Sequence, residues 1–263
     1  ISSDVFEGRR TGTEGASQAK AYIIEQFKNL NIEPLNENYN QDFSFDKRGQ
    51  TYQASNVLGW IKGSKSPENY IVLSAHYDHE GIKNDKIYNG ADDDASGISA
   101  LFAFAEYFKE NPPKHSVIFA AVDAEELGLV GSKYFVENSI VPIQDIKLNL
   151  NMDMISRSDK SELFVIGSRY YKALEPAIKS FKSSENLTLL IGHDGSDGKQ
   201  NWTNSSDHAS FHKANIPFLY FGVEDHKDYH QPTDDFENIQ PNFYQNALVA
   251  IITVFNALDN MEL

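Results

Sequence analysis

The chain contains no cysteine among its 263 residues, so disulfide frameworks and thiolate-bound metal sites are both excluded. No stretch approaches the roughly 20 consecutive apolar residues of a membrane-spanning helix. Basic residues are few, 23 against 38 acidic ones for a net charge of −15, and form no long run that would bind a phosphate backbone. We therefore expect no membrane span and no nucleic-acid partner, and any metal must be held by histidines and carboxylates.

Apolar residues are nonetheless plentiful enough for a packed core, at 40% of the chain before glycine is counted. Short β-branched or aromatic runs alternate with longer amphipathic ones, which predicts a mainly parallel sheet covered by helices on both faces. Strands are predicted at 39–45, 54–61, 70–75, 116–122, 147–152, 162–166, 187–191 and 217–222. Helices are predicted at 14–30, 95–110, 127–138, 168–184 and 242–258. The polar segment 192–206 is predicted to be a functional or mobile loop.

Five potential metal ligands, which follow strand-like runs or lie in acidic loops, stand out: His76, Asp93, Glu126, Asp153 and His230. Two histidines and three carboxylates suit a pair of zinc ions, which take N and O ligands and leave room for water. Ligands in an open α/β sheet collect at the carboxyl ends of strands, where several of these residues are expected. Each has a simpler interpretation as a turn former or a capping residue, so the set must be judged together.

The first two segments carry acidic partners as well. Asp78 is two residues beyond His76 on an extended chain and can fix the tautomer of its ring, although a plain polar turn explains the pair equally well. Asp92, Asp93 and Asp94 are three consecutive carboxylates ahead of an apolar helix. Helix capping accounts for Asp94, which we expect to be structural, but three adjacent acids exceed what capping needs, and a cation would relieve their repulsion.

The later segments are of unequal strength. Glu125 and Glu126 follow a buried strand and can divide their roles, one binding metal and one moving a proton, whereas the simpler interpretation is an acidic first helical turn. Asp153 ends another strand among apolar neighbours, and His230 lies in a late loop. Either of these two residues would be weak evidence alone.

The ordered motifs resemble the M28 family of co-catalytic zinc aminopeptidases. The matching segments are His76-x-Asp78, Gly90-Ala91-Asp92-Asp93-Asp94-x-Ser96-Gly97, Glu125-Glu126-x-Gly128-x-x-Gly131-Ser132, Met152-Asp153-Met154 and Tyr229-His230. The opening segment Phe6-Glu7-Gly8-Arg9-Arg10-x-Gly12-Thr13 resembles bacterial members. The resemblance implies a zinc exopeptidase fold of the α/β class: one domain over 1–263, a three-layer α/β/α sandwich with a central mixed, mainly parallel sheet of about eight strands.

The resemblance also implies a role for each site residue. Asp93 would bridge two Zn²⁺ ions, His76 and Asp153 would complete one site, and Glu126 and His230 would complete the other. Glu125 matches the general base that activates the bridging water, Asp78 the partner that orients the first histidine, and Tyr229 a tyrosine that supports the oxyanion in some relatives. Asp92 and Asp94 would then be helpers or bystanders. The implied substrates are peptides with a free N-terminus.

Three other functions stay open on the same sequence. A glutaminyl cyclase shares the fold but uses one zinc ion, and a carboxypeptidase would need a cation for the substrate carboxylate, for which only Arg157 and Arg169 lie in suitable positions. A non-catalytic relative should have lost ligands, and none is missing here. The sequence does not indicate an oligomeric state.

The remaining histidines have no role in the matching motifs. We expect surface or local hydrogen-bonding roles for His79, His115, His193, His212 and His226. His208 is expected to support the substrate pocket and not a metal. The chain starts at Ile1 without a signal-peptide pattern, which predicts a trimmed, exported protein that is periplasmic, secreted or surface-attached.

Overall fold

The computed structural model describes residues 1–262. Its strands are β1 (Glu33–Pro34), β2 (Asn40–Lys47), β3 (Gln50–Ile61), β4 (Ser66–His76), β5 (Gly81–Lys83), β6 (Lys86–Tyr88), β7 (His115–Val122), β8 (Ile146–Met152), β9 (Glu162–Ile166), β10 (Thr188–Ile191) and β11 (Phe218–Gly222). All eight predicted strands are present. The additional ones are the very short β1 and the β5–β6 hairpin, which are too brief for a periodicity signal to indicate them.

One nine-stranded mixed sheet organises the fold, in the order β1-β3-β7-β4-β8-β11-β9-β10, with β2 paired to β3. The central strands β7, β4, β8 and β11 are mutually parallel, while β3 and β9 pair antiparallel on either side of them. The prediction of a mixed sheet with a parallel centre is therefore confirmed. Parallel neighbours end at the same edge of a sheet, which gathers the loops that follow these four strands.

The helices are α1 (Glu14–Asn29), α2 (Ala95–Glu110), α3 (Val130–Glu137), α4 (Glu175–Ile178), α5 (His208–Lys213) and α6 (Pro241–Asp259). Thr13 caps α1 by accepting a hydrogen bond from the backbone N–H of Ala16, and Asp94 caps α2 by accepting one from Gly97. Among residues 1–262, none of the helices combines the length and the hydrophobicity needed to cross a bilayer.

Two helix predictions were wrong in extent. The helix expected over 127–138 begins only at Val130, because Gly128 and Leu129 have left-handed φ angles of 102° and 60°. The helix expected over 168–184 is reduced to a 3₁₀ turn and the four-residue α4. Pro176 lacks a backbone N–H and restricts the residue before it, so a continuous helix cannot pass through this point.

Apolar side chains alternate between the two faces of the sheet, as a strand requires. In β4, Ile71 and Leu73 pack into a large cluster with apolar residues of α1, α2 and α6, whereas Val72 packs into a second cluster with Phe135 of α3 and Phe211 of α5. Helices thus cover both faces of the sheet, and the three-layer sandwich is confirmed. Apolar clusters pack on both faces of the sheet, and the polar side chains of the site lie at the carboxyl edge of the strands.

Candidate metal centre

The predicted ligands meet at the carboxyl edge of the four central strands. His76 is the last residue of β4, Asp153 follows β8 directly, and Glu126 lies in the turn after β7. His230 lies in the long connection after β11, and Asp93 lies in the loop that leads into α2. Five residues that are far apart in the chain are therefore brought into one cluster.

One half of this cluster, which we call the inner position, consists of His76, Asp93 and Asp153. The Nε2 atom of His76 lies 3.1 Å from Oδ1 of Asp93 and 3.6 Å from Oδ1 of Asp153. All three residues are buried, and each can offer one ligand atom to a shared ion. The structure thus brings together the three residues that the resemblance assigned to the first zinc site.

The other half, the outer position, consists of Asp93, Glu126 and His230. The Nε2 atom of His230 lies 3.0 Å from Oδ2 of Asp93 and 3.3 Å from Oε1 of Glu126. Asp93 thus turns Oδ1 toward the inner position and Oδ2 toward the outer one. The His230 side chain is 34% exposed, in contrast to 2% for His76, so the outer position is the more open to solvent.

His79 corrects the sequence prediction, which gave this histidine only a surface or local hydrogen-bonding role. Its side chain is fully buried, with Nδ1 at 3.0 Å from Oε1 of Glu126 and 3.7 Å from Oδ2 of Asp93. His79, Asp93 and Glu126 form a further trio able to hold a cation. A signal was available in the sequence, because His79 follows His76 and Asp78 in the same short segment.

The donor set fits zinc. Imidazole nitrogens and carboxylate oxygens are ordinary zinc ligands, and no sulfur ligand is required. Nδ1 of His79 and Oε1 of Glu126 lie 3.0 Å apart but not in hydrogen-bonding geometry, and within residues 1–262 neither these atoms nor Nε2 of His79 has a hydrogen-bond partner. Buried polar atoms without partners are costly, and a cation beside them would relieve that cost. Glu80 also approaches the outer position, since its carboxylate lies 3.8 Å from Nδ1 of His230.

Charges within the cluster shift its pKa values strongly. Burial by itself would lower the pKa of His76, but the negative charges of Glu125 and Asp153 outweigh it and raise that pKa well above the usual range. Burial would raise the pKa of Asp93, but His79 and His230 outweigh it and hold that pKa well below its usual range. Such paired shifts are typical of functional sites.

Asp78 contacts the ligands in two ways. Its backbone carbonyl oxygen lies 3.0 Å from Nδ1 of His76, whereas its carboxylate is 3.7 Å away. The carboxylate accepts hydrogen bonds from the backbone N–H groups of Glu125 at 3.0 Å and Glu126 at 3.2 Å. Asp78 is therefore placed to orient the His76 ring through its main chain and the two glutamates through its side chain.

The neighbours of Asp93 are structural. Asp94 caps α2 as expected, and its carboxylate also accepts a hydrogen bond from the backbone N–H of His76 at 3.2 Å. Asp92 accepts hydrogen bonds from both the N–H and the hydroxyl of Ser156, each at 2.7 Å, and from His226 at 3.0 Å. These contacts fix the loop that carries Asp93.

A pocket of about 320 Å³ opens over the cluster. Besides the five ligands, its lining comprises Glu125, Met154, Gln200, Trp202, Ser205, Tyr220, Val223, Asp225 and Tyr229. Burial and the nearby charges of Asp207 and Asp153 raise the pKa of Glu125 well above its usual range, despite an opposing effect of His76. The ring of Tyr229 stacks on His230 at a centroid distance of 4.0 Å.

The lining of this pocket, taken over residues 1–262, contains neither lysine nor arginine. Arg157 is buried and forms an ion pair with Asp228, and Arg169 is exposed and donates to the backbone carbonyl of Asp194. Neither arginine lines the pocket, where a substrate carboxylate would have to be bound. The geometry therefore does not support a carboxypeptidase.

The segment near residue 208 lies behind the pocket. His208 is fully buried. Its Nε2 atom lies 3.0 Å from the carbonyl oxygen of Trp202, and its ring stacks on Tyr220. Trp202 and Tyr220 both line the pocket. Burial lowers the pKa of His208 to about 3, so the ring is neutral. Asp207, to which we had given no role, is a buried acid that raises the pKa of Glu125.

The other histidines have the local roles that we expected. His115 contacts Asp259, His193 contacts the carbonyl of Gln200, and His212 contacts the hydroxyl of Tyr171. His226 bonds to Asp92, as described above. All four take part in local polar contacts, and His115 and His193 are buried.

Comparisons with known proteins agree with this architecture. Aminopeptidase YwaD from Bacillus subtilis is 32% identical over 204 residues, which cover 71% of this chain and 42% of that protein. A solved zinc aminopeptidase from Bacillus subtilis, BSAP, is 28% identical with a TM-score of 0.64 and covers 82% of this chain and 52% of that one. The chain spans less than half the length of the curated relatives it matches.

Proteins of similar fold also include an enzyme with a different activity. A glutaminyl cyclase from Tannerella forsythia superposes with a TM-score of 0.73 at 19% identity, covering 98% of this chain and 94% of that one, a likeness that shows the fold alone. The model of a family described as peptidase family M28 matches residues 56–255. Because this match covers more than half of the sequence and the fold is that of solved zinc exopeptidases, the chain belongs to the zinc-dependent peptidase family M28.

Proposed function

We propose that this chain is a dinuclear zinc aminopeptidase, which hydrolyses the N-terminal peptide bond of peptides. The observation that carries the proposal is the placement of Asp93. Its two carboxylate oxygens face two separate ligand groups, with His76 at 3.1 Å on one side and His230 at 3.0 Å on the other. A carboxylate so placed can be shared by two ions, which a single-zinc cyclase would not need.

The residues divide the work as follows. His76, Asp93 and Asp153 would hold one zinc ion, and Asp93, Glu126 and His230 the other, with His79 beside the second. Zinc, when bound, supplies a Lewis acid that polarises the scissile carbonyl and lowers the pKa of water. Glu125, which lines the pocket, takes a proton from the attacking water and delivers it to the departing amine.

The charge of the pocket supports an amine-terminal substrate. Besides the three carboxylates assigned to zinc, Glu125 and Asp225 line it, and within residues 1–262 no lysine or arginine does, so a free ammonium group has anionic partners and a free carboxylate has no cationic side chain to pair with. Met154, Trp202 and Val223 provide apolar surface for the first side chain of the peptide. The hydroxyl of Tyr229 is a suitable donor to the developing oxyanion.

A panel of aminoacyl p-nitroanilides, free and N-blocked, tests the proposal. We expect hydrolysis of the free compounds alone, and a parallel assay with a Gln-initiated peptide should release the N-terminal residue without cyclisation. Turnover restricted to N-blocked compounds would refute the aminopeptidase assignment. Cyclisation without hydrolysis would instead favour the cyclase seen among proteins of this fold.

Glu125→Ala separates proton transfer from metal binding. We expect its zinc content to equal that of the wild type, because Glu126 and not Glu125 belongs to the ligand groups, while the hydrolysis rate falls by about 10²–10⁴-fold. Rates and zinc content are measured on the same preparation. A folded variant with near-normal turnover would exclude Glu125 as the base.

A further inference from the structure

The segment ahead of α1 contacts the chain segments that carry the metal ligands, although it lies outside the matched family region of 56–255. Residues Asp4–Arg9 form a 3₁₀ helix with left-handed φ angles at Glu7, Gly8 and Arg9. Gly8 is pressed against the β5–β6 hairpin, since a Cβ atom there would lie 2.5 Å from the carbonyl oxygen of Tyr88. The close approach is possible only with glycine.

Arg9, the next residue, is fully buried beneath the ligand loops. Its guanidinium donates to the carbonyl oxygens of Tyr77 at 2.7 Å, Asn89 at 2.5 Å and Gly90 at 3.0 Å. Tyr77 directly follows the ligand His76, and Asn89 and Gly90 begin the loop that carries Asp93. One side chain therefore ties together two ligand-bearing segments that are not adjacent in the chain.

The charge of Arg9 also matters to this acidic site. Burial lowers its pKa to about 10, an effect that the negative charges of Asp93, Asp234 and Asp78 partly offset, so Arg9 is a cation at neutral pH. Its hydrogen bonds go to main-chain carbonyl groups, and within residues 1–262 it forms no direct ion pair. Lysine keeps the charge but cannot reproduce this fork of donors.

Thr11 contacts a different part of the support around the centre, the buried carboxylates of Asp123 and Asp78. Its hydroxyl lies 2.8 Å from Oδ1 of Asp123 and 3.3 Å from Oδ2 of Asp78. Asp123 is itself fixed by the backbone N–H of Ser55 and the hydroxyl of Tyr77. Asp78 in turn accepts hydrogen bonds from the backbone N–H groups of Glu125 and Glu126. Thr11 therefore links Asp78 to the well-anchored Asp123.

We propose that Arg9 and Thr11 are positioning residues of the metal centre, which hold the ligand segments in their binding arrangement. Arg9 fixes the backbone beside His76 and ahead of Asp93, and Thr11 fixes Asp78 and through it Glu126. Neither residue lines the pocket, so neither touches substrate. The inference rests on the metal centre of the proposed function but not on its peptidase activity.

Zinc affinity, measured by competition with a chromophoric chelator, is the test. We expect Arg9→Lys and Arg9→Met to bind zinc at least about 10-fold more weakly than the wild type, as is typical when the support of metal ligands is removed. Loss of a cation alone would tighten zinc binding in this acidic cluster, so weaker binding by Arg9→Met identifies positioning. Arg48→Met is the matched control, since Arg48 is an exposed arginine with a φ of 52°, close to the 50° of Arg9.

The outcomes are decisive in each case. A variant Arg9→Lys with native circular dichroism and wild-type zinc affinity would overturn the role of Arg9. If both Arg9 variants fail to fold, Thr11→Val tests the proposal, because it keeps the side-chain volume and replaces only the hydroxyl by a methyl group. We expect a several-fold loss of zinc affinity, and unchanged affinity would overturn the proposal. A wild-type protein that binds zinc but cleaves no peptide would refute the proposed function while leaving this test intact.

Discussion

The inner and outer positions differ in how firmly the fold holds them. The inner ligands His76 and Asp153 lie at the ends of adjacent parallel strands and are buried. The outer ligand His230 comes from a long loop and has a side chain that is 34% exposed, and two further donors, His79 and Glu80, lie near it. The two strand ends therefore hold the inner ligands in one arrangement, whereas the loop leaves more than one set of donors near the outer position.

Removing the residue that both positions share should have the largest effect. Among residues 1–262, Asp93 is the only acidic residue whose carboxylate lies within 4 Å of both His76 and His230. For Asp93→Ala we therefore expect zinc content to fall toward zero and hydrolysis to drop by at least about 10³-fold. Zinc analysis by mass spectrometry, beside a rate assay, measures both. Retention of a full zinc complement would contradict the bridging role.

The next effect distinguishes the positions from each other. Because the His230 side chain is 34% exposed and that of His76 only 2%, a chelator should strip wild-type zinc in two phases, the faster one from the outer position. His230→Ala should lose the fast phase and Asp153→Ala the slow one, each variant retaining about half of the wild-type zinc. Identical release kinetics in the two variants would show that the positions are not independent.

His79 provides a smaller test, confined to the outer position. We expect His79→Gln to weaken zinc binding there by about 10-fold, whether His79 binds the ion or only orients Glu126. His115→Gln is the matched control, because His115 is another buried histidine, paired with Asp259 far from the centre. Its zinc affinity should equal that of the wild type. Equal affinities in all three proteins would remove His79 from the site.

Ser156→Ala should have the smallest effect. The change removes the hydroxyl donor to Asp92 but leaves the backbone N–H of the same residue in place. We expect a loss of about 1–2 kcal/mol in the free energy of unfolding, with the zinc content unchanged. Chemical denaturation beside zinc analysis checks this, and loss of either ion would show that the Asp93 loop is less rigid than its contacts indicate.

The sequence predicted the inner position more completely than the outer one, for physical reasons. A hydrophobic run followed by a polar residue indicates a strand end, which marked His76 and Asp153 as candidates before the family resemblance gave them roles. The place of His79 beside His76 and Asp78 was a signal in the sequence, but the inward turn of its ring depends on the close approach of Gly90, where a Cβ would clash with the ring. The shared Asp93 was separated from its neighbours only by family resemblance.

The secondary structure likewise contains elements that the sequence predicts well and others that it does not. Long periodic segments such as α2 and α6 were predicted closely, because their apolar spacing is a local property. The 3₁₀ segment that carries Arg9 was not predicted, since its conformation depends on contacts with the β5–β6 hairpin. The helix predicted over 168–184 is interrupted for a local reason, because Pro176 lies within it.

Anomalous diffraction at the zinc absorption edge, from crystals of the zinc-loaded protein, would show how many zinc ions bind and which residues hold them. The dinuclear assignment predicts two peaks on either side of the Asp93 carboxylate, one contacted by His76 and Asp153 and the other by Glu126 and His230. A single peak in fully loaded crystals, or a pair that does not share Asp93, would contradict it.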